Sequence, residues 1–413
     1  MYSKQFLKAK KASFDIAAAS SEKKNRILKN ICLELKKNKQ KIINENKKDL
    51  LAAEKKGTSK SVLDRLEFNS KRIEGSIESV NEIINMKDPV GKVLEKTILP
   101  NKLRVEKIVF PMGLIGIIYE NRPNVTIDSA AICIKSGNAV ILKGDKAAIN
   151  SNKLLVILIK KALRKEKISS EVVQFLNPLD EKSTIALVKA KSIVDLVIPR
   201  GGPGLIAFIE KECLVPWIGA GAGNCNIFID QSADFKKAEK IVINAKVQRP
   251  SVCNAAENLL VHEKISMKFL PMMIESLRKN NVVVLGDNKV KKIVPDVQKA
   301  SEKDWSTEFL DLKIAIKVVK DTEEAIDFIN KYGTNHSESI ISKNKKNIDL
   351  FLRKVDSSAV YANASTRFTD GQQFGKGGEI GISTQKLHSR GPMSVEELTT
   401  YKYVIRGAGQ IRT

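Results

Sequence analysis

Apolar positions along this chain change their rhythm near residue 113. Upstream, residues 1–95 recur at helical spacing: Ile73, Ile77, Val80 and Ile84 share one face, and Gly57 sits where a helix would stop. The first twenty residues carry Lys4, Lys8, Lys10 and Lys11 before a short apolar run at 16–19, which predicts an amphipathic first helix rather than a secretion signal. Residues 104–110 alternate polar and apolar, as a half-exposed strand does. From Gly113 onward, short apolar runs at 114–119, 139–142, 172–175, 194–198, 214–218 and 227–229 alternate with helical segments. A second series follows at 258–261, 282–285, 314–319, 338–341 and 359–361, and residues 398–410 predict one last exposed strand. Runs of this length between helices predict parallel strands joined by crossover helices, and so two α/β domains with a junction near residues 230–250. Such folds bind ligands at the carboxyl ends of their strands, which directs attention to the loops there.

Composition narrows this picture. The chain has 413 residues, 42% of them hydrophobic, enough for two cores. Its apolar runs are far too short to cross a bilayer. Five scattered cysteines with no CxxC pair argue against a disulfide framework and a zinc site, and suggest the reducing cytoplasm. The formal charge of +24 raises nucleic acid as a partner. That excess is mostly lysine spread along the whole length, and aromatics are only 5%, so solvated helix faces account for it better.

Several loops carry candidate chemistry. Cys253 lies in QRPSVCNA, after Pro250 ends a helix and near the domain junction; Arg249 beside it would favour the thiolate. Taken alone, such a cysteine is more often inert packing. Asn124, in YENRPNVT after the first strand of the α/β series, is placed either to cap a helix or to meet a carbonyl oxygen. Gly201 and Gly202 open a helix after a strand, where backbone N–H groups admit a phosphate, although the pattern is not GxGxxG. Lys143 ends a strand and is either a surface lysine or a cofactor contact. The segment ASTRFTDG, with Ser365, Thr366 and Arg367, joins hydroxyls to an arginine suited to phosphate or carboxylate, with a solvated loop as the competing account. His336 and His388 have no visible paired carboxylate and stand nearer to a structural role.

Taken in order, these segments resemble the γ-glutamyl phosphate reductase family of the aldehyde dehydrogenase superfamily. The matching stretches are 116–126 (GIIYENRPNVT), 137–142 (GNAVIL), 198–204 (IPRGGPG), 244–254 (NAKVQRPSVCN), 356–371 (DSSAVYANASTRFTDG) and 383–402 (STQKLHSRGPMSVEELTTYK). The resemblance implies an aldehyde dehydrogenase-like α/β fold. Its parts would be a Rossmann-like cofactor domain (1–96 and 112–230), a catalytic α/β domain (231–375) and an oligomerisation element (97–111 and 398–413). It also implies NADPH-dependent reduction of L-glutamyl 5-phosphate to L-glutamate 5-semialdehyde with release of phosphate, the second step of proline synthesis from glutamate.

By the same resemblance Cys253 is the nucleophile and Asn124 the oxyanion-binding amide. Gly201, Gly202, Lys143 and, on weaker similarity, Glu308 hold the cofactor; Ser365, Thr366 and Arg367 hold the substrate. The implied partners are a second copy, as a dimer or tetramer, and transiently glutamate 5-kinase. No nucleic acid, membrane or metal is implied. Two departures stand out. Asn226 replaces a histidine common in the family, and Lys143-Gly144-Asp145 replaces Arg-Gly-Gly. Asp145 would repel a 2′-phosphate that Lys143 and Lys146 attract, so NADPH is preferred and NADH stays open. Residues 217–226 hold no carboxylate to activate water against a thioester, which argues against a hydrolytic aldehyde dehydrogenase, the leading rival.

Overall fold

The helical spacing of the first 95 residues becomes five helices: α1 (Tyr2–Ala17), α2 (Ser21–Lys37), α3 (Lys39–Glu54), α4 (Lys60–Leu66) and α5 (Ser70–Asn85). The computed structural model describes residues 2–180, 182–219 and 221–412. Ser20 caps α2 by accepting from the Lys23 N–H, and the helix turns Ile27, Leu28, Ile31, Cys32 and Leu35 inward. Asn69 caps α5 in the same way through Arg72, and Ile73, Ile77, Val80 and Ile83 form its buried stripe.

Two compact units divide the chain. The first takes in Met1–Gly219, Gly375–Gly381 and Leu387–Thr413. Its antiparallel sheet joins β1 (Val93–Ile98), β2 (Arg104–Pro111) and the C-terminal strand Thr399–Arg406, with β2 in the middle. Its parallel sheet is built from β3 (Leu114–Tyr119), β4 (Ala139–Lys143), β5 (Val173–Phe175) and β6 (Leu196–Arg200), in the order β5-β4-β3-β6. Every residue of β3 and β4 is buried, as parallel strands covered on both faces must be. The crossovers are α6 (Pro123–Lys135), α7 (Ile149–Lys165) and α8 (Lys182–Val188), and α9 (Pro203–Glu212) follows β6. Helix α6 is buried nearly all round, so it shows no polar face.

The second unit is Ala220–Phe374 with Ile382–Lys386. Its strands are β7 (Cys225–Ile229), β8 (Ala256–His262), β9 (Val283–Gly286), β10 (Gln298–Lys299), β11 (Lys313–Val319), β12 (Ser337–Ile341) and β13 (Ala359–Ala362). They form one parallel sheet in the order β10-β9-β11-β8-β7-β12-β13. The crossovers used below are α10 (Phe235–Val247), between β7 and β8, and α11 (Glu263–Lys279), between β8 and β9.

Two expectations need correction. The run 214–218 makes no strand; Trp217 forms only an isolated bridge to Val197, because Pro216 has no N–H to donate to a ladder. The strand at 225–229, counted in sequence with the first series, belongs to the second sheet. There β8 and β12 flank it in parallel register, so the division falls near residue 219 rather than at 230–250.

Candidate functional site

In the second unit, α10 ends at Val247 and β8 starts at Ala256, leaving Cys253 half-buried on the loop between them at the amino end of β8. Gly223 lies flat against this loop: a Cβ on it would come within 1.6 Å of the Cys253 carbonyl oxygen, so only glycine permits the approach. The Gly223 N–H donates to Glu308 Oε1 at 2.8 Å, which ties Glu308 to the same backbone. On the other side, Asn254 is stapled to the segment after β13. Thr366 Oγ1 donates to the Asn254 carbonyl at 2.7 Å, and the Asn254 amide donates to the carbonyls of Thr369 (2.9 Å) and Arg367 (3.4 Å). Ser365 Oγ accepts from the Arg367 N–H. Cys253, Glu308, Ser365, Thr366 and Arg367, drawn from a span of over a hundred residues, thus gather around one loop.

Arg367 stands within electrostatic reach of Cys253. Its guanidinium donates to Gln248 Oε1 at 2.8 Å and is half-buried. Burial lowers its pKa, and the charge of Cys253 opposes that shift. Arg249, the neighbour favoured in sequence, is exposed. Beneath the loop, Lys246 and Glu257 form a fully buried ion pair at 2.6 Å, and Glu257 also accepts from the Leu310 N–H. Burial pushes Glu257 up to about 7 and pulls Lys246 down, each opposed by its partner's charge.

Asn226 does not reach this loop surface. It is fully buried in β7, opposite Glu338 on β12, and gives Glu338 Oε2 two hydrogen bonds, from its backbone (2.6 Å) and its amide (2.9 Å). Burial raises Glu338 to about 8. Its unfolded value is near 4.5, so between 4.5 and about 8 the folded chain keeps a proton that the unfolded chain releases. Stability from this group is complete below that window and is lost as pH rises through it. Glu338→Gln keeps an acceptor for Asn226 and cannot ionise; it is expected to flatten the decline of melting temperature across this range, measured by calorimetry against the parent protein.

The first unit carries the remaining candidates at the carboxyl edge of its parallel sheet. Gly201 and Gly202 form the turn from β6 into α9, with Gly202 as N-cap and Pro203 at the first helical position. The turn holds a carboxylate: the Gly202 N–H donates to Glu120 Oε2 at 3.0 Å, and a Cβ on Gly201 would sit 2.6 Å from the Glu120 carboxyl carbon. Lys143 ends β4 with its side chain largely buried. Burial lowers its pKa, and the charges of Asp145 and Asp180 oppose this. Asp145 is held as a cap, accepting from the Ala147 N–H at 2.7 Å. Asn124, in the first turn of α6, donates its amide to Asp128 Oδ2 at 3.0 Å. Burial raises Asp128 to about 6, against hydrogen bonds from Asn124 and Ser79. A glycine turn and a strand-end lysine at the carboxyl edge of one parallel sheet are of the residue types that suit a dinucleotide's pyrophosphate and ribose.

Sequence reasoning missed Glu120, Asp128, Asn254 and the Lys246–Glu257 pair. Only Asp128 left a legible signal, its i, i+4 spacing from Asn124 on a helix.

Residues 2–305 match the model of the aldehyde dehydrogenase family. The γ-glutamyl phosphate reductase of Caldanaerobacter subterraneus subsp. tengcongensis is 50% identical over 405 residues, covering 98% of each chain. That of Clostridium beijerinckii is 51% identical over 404 residues, with the same coverage. The crystal structure of the Thermotoga maritima γ-glutamyl phosphate reductase is 47% identical, covers 99% of both chains and superposes with a TM-score of 0.96. The chain belongs to the aldehyde dehydrogenase family and, within it, to the γ-glutamyl phosphate reductases, and is accordingly an oxidoreductase. That membership implies a nicotinamide cofactor. Among the described residues, no helix is long and apolar enough to cross a membrane.

Proposed function

We propose that the protein catalyses NADPH-dependent reduction of L-glutamyl 5-phosphate to L-glutamate 5-semialdehyde with release of phosphate, the second step of proline synthesis from glutamate, in the cytoplasm. The observation supporting this reading is the stapling of the segment with Ser365, Thr366 and Arg367 to the Cys253 loop through Asn254. The Cys253 thiolate attacks the acyl carbon of the substrate. The bond from that carbon to the phosphate oxygen breaks, phosphate departs with its electron pair, and a thioester on Cys253 remains. The negative charge developing on the acyl oxygen is met by the Cys253 backbone N–H, and the family resemblance assigns the oxyanion-binding amide to Asn124, which Asp128 orients. Phosphate is a good leaving group, so no strong acid is needed. A reduced nicotinamide, when bound, supplies hydride for the acyl carbon; Gly201, Gly202, Lys143 and Glu308 are the residues assigned to hold it. Cys253 leaves as thiolate when the aldehyde is released. Arg367, with Ser365 and Thr366, binds the phosphate or carboxylate of the substrate.

The C-terminal strand supports self-association. It lies at the edge of its sheet, and Tyr401, Tyr403 and Ile405 are each more than half exposed there. A homo-oligomer, dimer or tetramer, would cover that edge. Transient contact with glutamate 5-kinase would shorten the path of the reactive acyl phosphate.

Purified protein supplied with pyrroline-5-carboxylate, the cyclised form of the semialdehyde, should reduce NADP⁺ only when phosphate is added. Oxidation that proceeds without phosphate would instead mean a hydrolytic enzyme. Arg367→Ala is expected to raise the KM for phosphate at least about tenfold, the loss of one charge-assisted contact, while NADP⁺ affinity stays near its starting value. A selective loss of NADP⁺ affinity would remove Arg367 from the substrate site.

A further inference from the structure

The Gly201–Gly202 turn presents backbone N–H groups at the positive end of a ten-residue helix, yet an internal carboxylate already lies there. Glu120 follows β3, and its backbone N–H donates to the Arg200 carbonyl at 3.1 Å, which fixes the main chain of the two strand ends side by side. From that anchor its side chain reaches across the turn. Oε2 accepts from Gly202, while both carboxylate oxygens and their carbon fill the volume that a Cβ on Gly201 would take, at 2.6 to 2.8 Å. The carboxylate therefore uses both features that make this turn an anion site, the free N–H and the missing side chain. The space around Gly202 and Gly204 is open, with no heavy atom within 4 Å of a Cβ on either.

We propose that Glu120 is a resident anion of this turn, which the pyrophosphate of the dinucleotide must displace on binding. The proposal rests on the reading of the protein as a nicotinamide-dependent reductase. Two like charges cannot share one N–H donor and one glycine-sized cradle. Each binding event therefore begins by breaking the Glu120–Gly202 contact. The carboxylate sets the dinucleotide affinity from inside the site: it keeps the turn formed when empty and lowers the net gain when the cofactor enters. Its effect is the same for NADP⁺ and NAD⁺, because both bring the same pyrophosphate.

Calorimetric titration of NADP⁺ and of NAD⁺ into the parent protein, Glu120→Gln and Glu120→Ala tests this without any turnover. The dissociation constants of both dinucleotides are expected to fall about fivefold in each variant, the size of a helix-end charge interaction removed from the competing side. Unchanged or weaker binding by the variants overturns the proposal. A gain confined to one dinucleotide also overturns it, since that would place Glu120 at the ribose 2′ position instead of the pyrophosphate. If the parent protein binds neither dinucleotide, the reductase reading fails and takes this proposal with it.

Discussion

Replacing Cys253 by serine is expected to lower kcat/KM by about 10⁴-fold or more while leaving NADP⁺ binding nearly intact. The sulfur matters because a thiolate is the attacking species and a serine hydroxyl does not ionise near neutral pH. The loop is built to carry such a group. Its backbone is clamped by Gly223 on one side and by the Asn254–Thr366 contact on the other. Serine is smaller by little and leaves those clamps alone. The loss should therefore appear in phosphate-dependent NADPH formation and not in a calorimetric titration with NADP⁺. A serine variant of full activity would remove the thioester from the mechanism.

The second large effect is expected from Lys246→Met. Lys246 and Glu257 are both fully buried, seven residues before and four residues after Cys253, so their ion pair closes the base of the cysteine loop. Removing the cation leaves the buried Glu257 side chain without its ion-pair partner, with the Leu310 N–H still donating to it. Breaking a buried pair from one side costs about 3–5 kcal/mol. Thermal unfolding should shift down by on the order of 10 °C. The double variant Lys246→Met with Glu257→Gln is expected to regain much of that loss, because no charge is then buried. A single variant that melts with the parent protein would show that the pair carries no such burden.

Sequence and structure divide the account unevenly. Strand β3 and the helices α1 and α5 were legible because a buried parallel strand and an amphipathic helix each impose a period on the residues themselves. The strand expected at 214–218 was misread because apolar content outweighed one proline, whose missing N–H decides whether a ladder can form. Strand β7 was read as a strand and assigned to the wrong sheet. Pairing is a relation between distant segments, and the run at 225–229 contains nothing that names β8 and β12 as its neighbours.

The candidate site follows the same division. Cys253, Asn124, the Gly201–Gly202 turn and the 365–367 segment were ambiguous one by one and gained roles only because their motifs, taken in order, resemble one family. The tie between the Cys253 loop and the 365–367 segment was not legible. Arg249 is near Cys253 in the chain, whereas the Arg367 backbone is brought to the loop by Asn254. The buried pair Lys246–Glu257 and the carboxylate of Glu120 in the glycine turn were likewise invisible, since a lysine or glutamate reads as solvated until its burial is known.

The order of residues alone determined the periodic elements, the reactive groups and, through its motifs, the family. Tertiary structure alone decided which charges meet, which are cut off from water and which side chain fills the Gly201–Gly202 turn. The physical reason is range. Backbone preference and hydrophobic period act over a few residues, whereas charge, burial and hydrogen bonding depend on distances that only the folded chain sets.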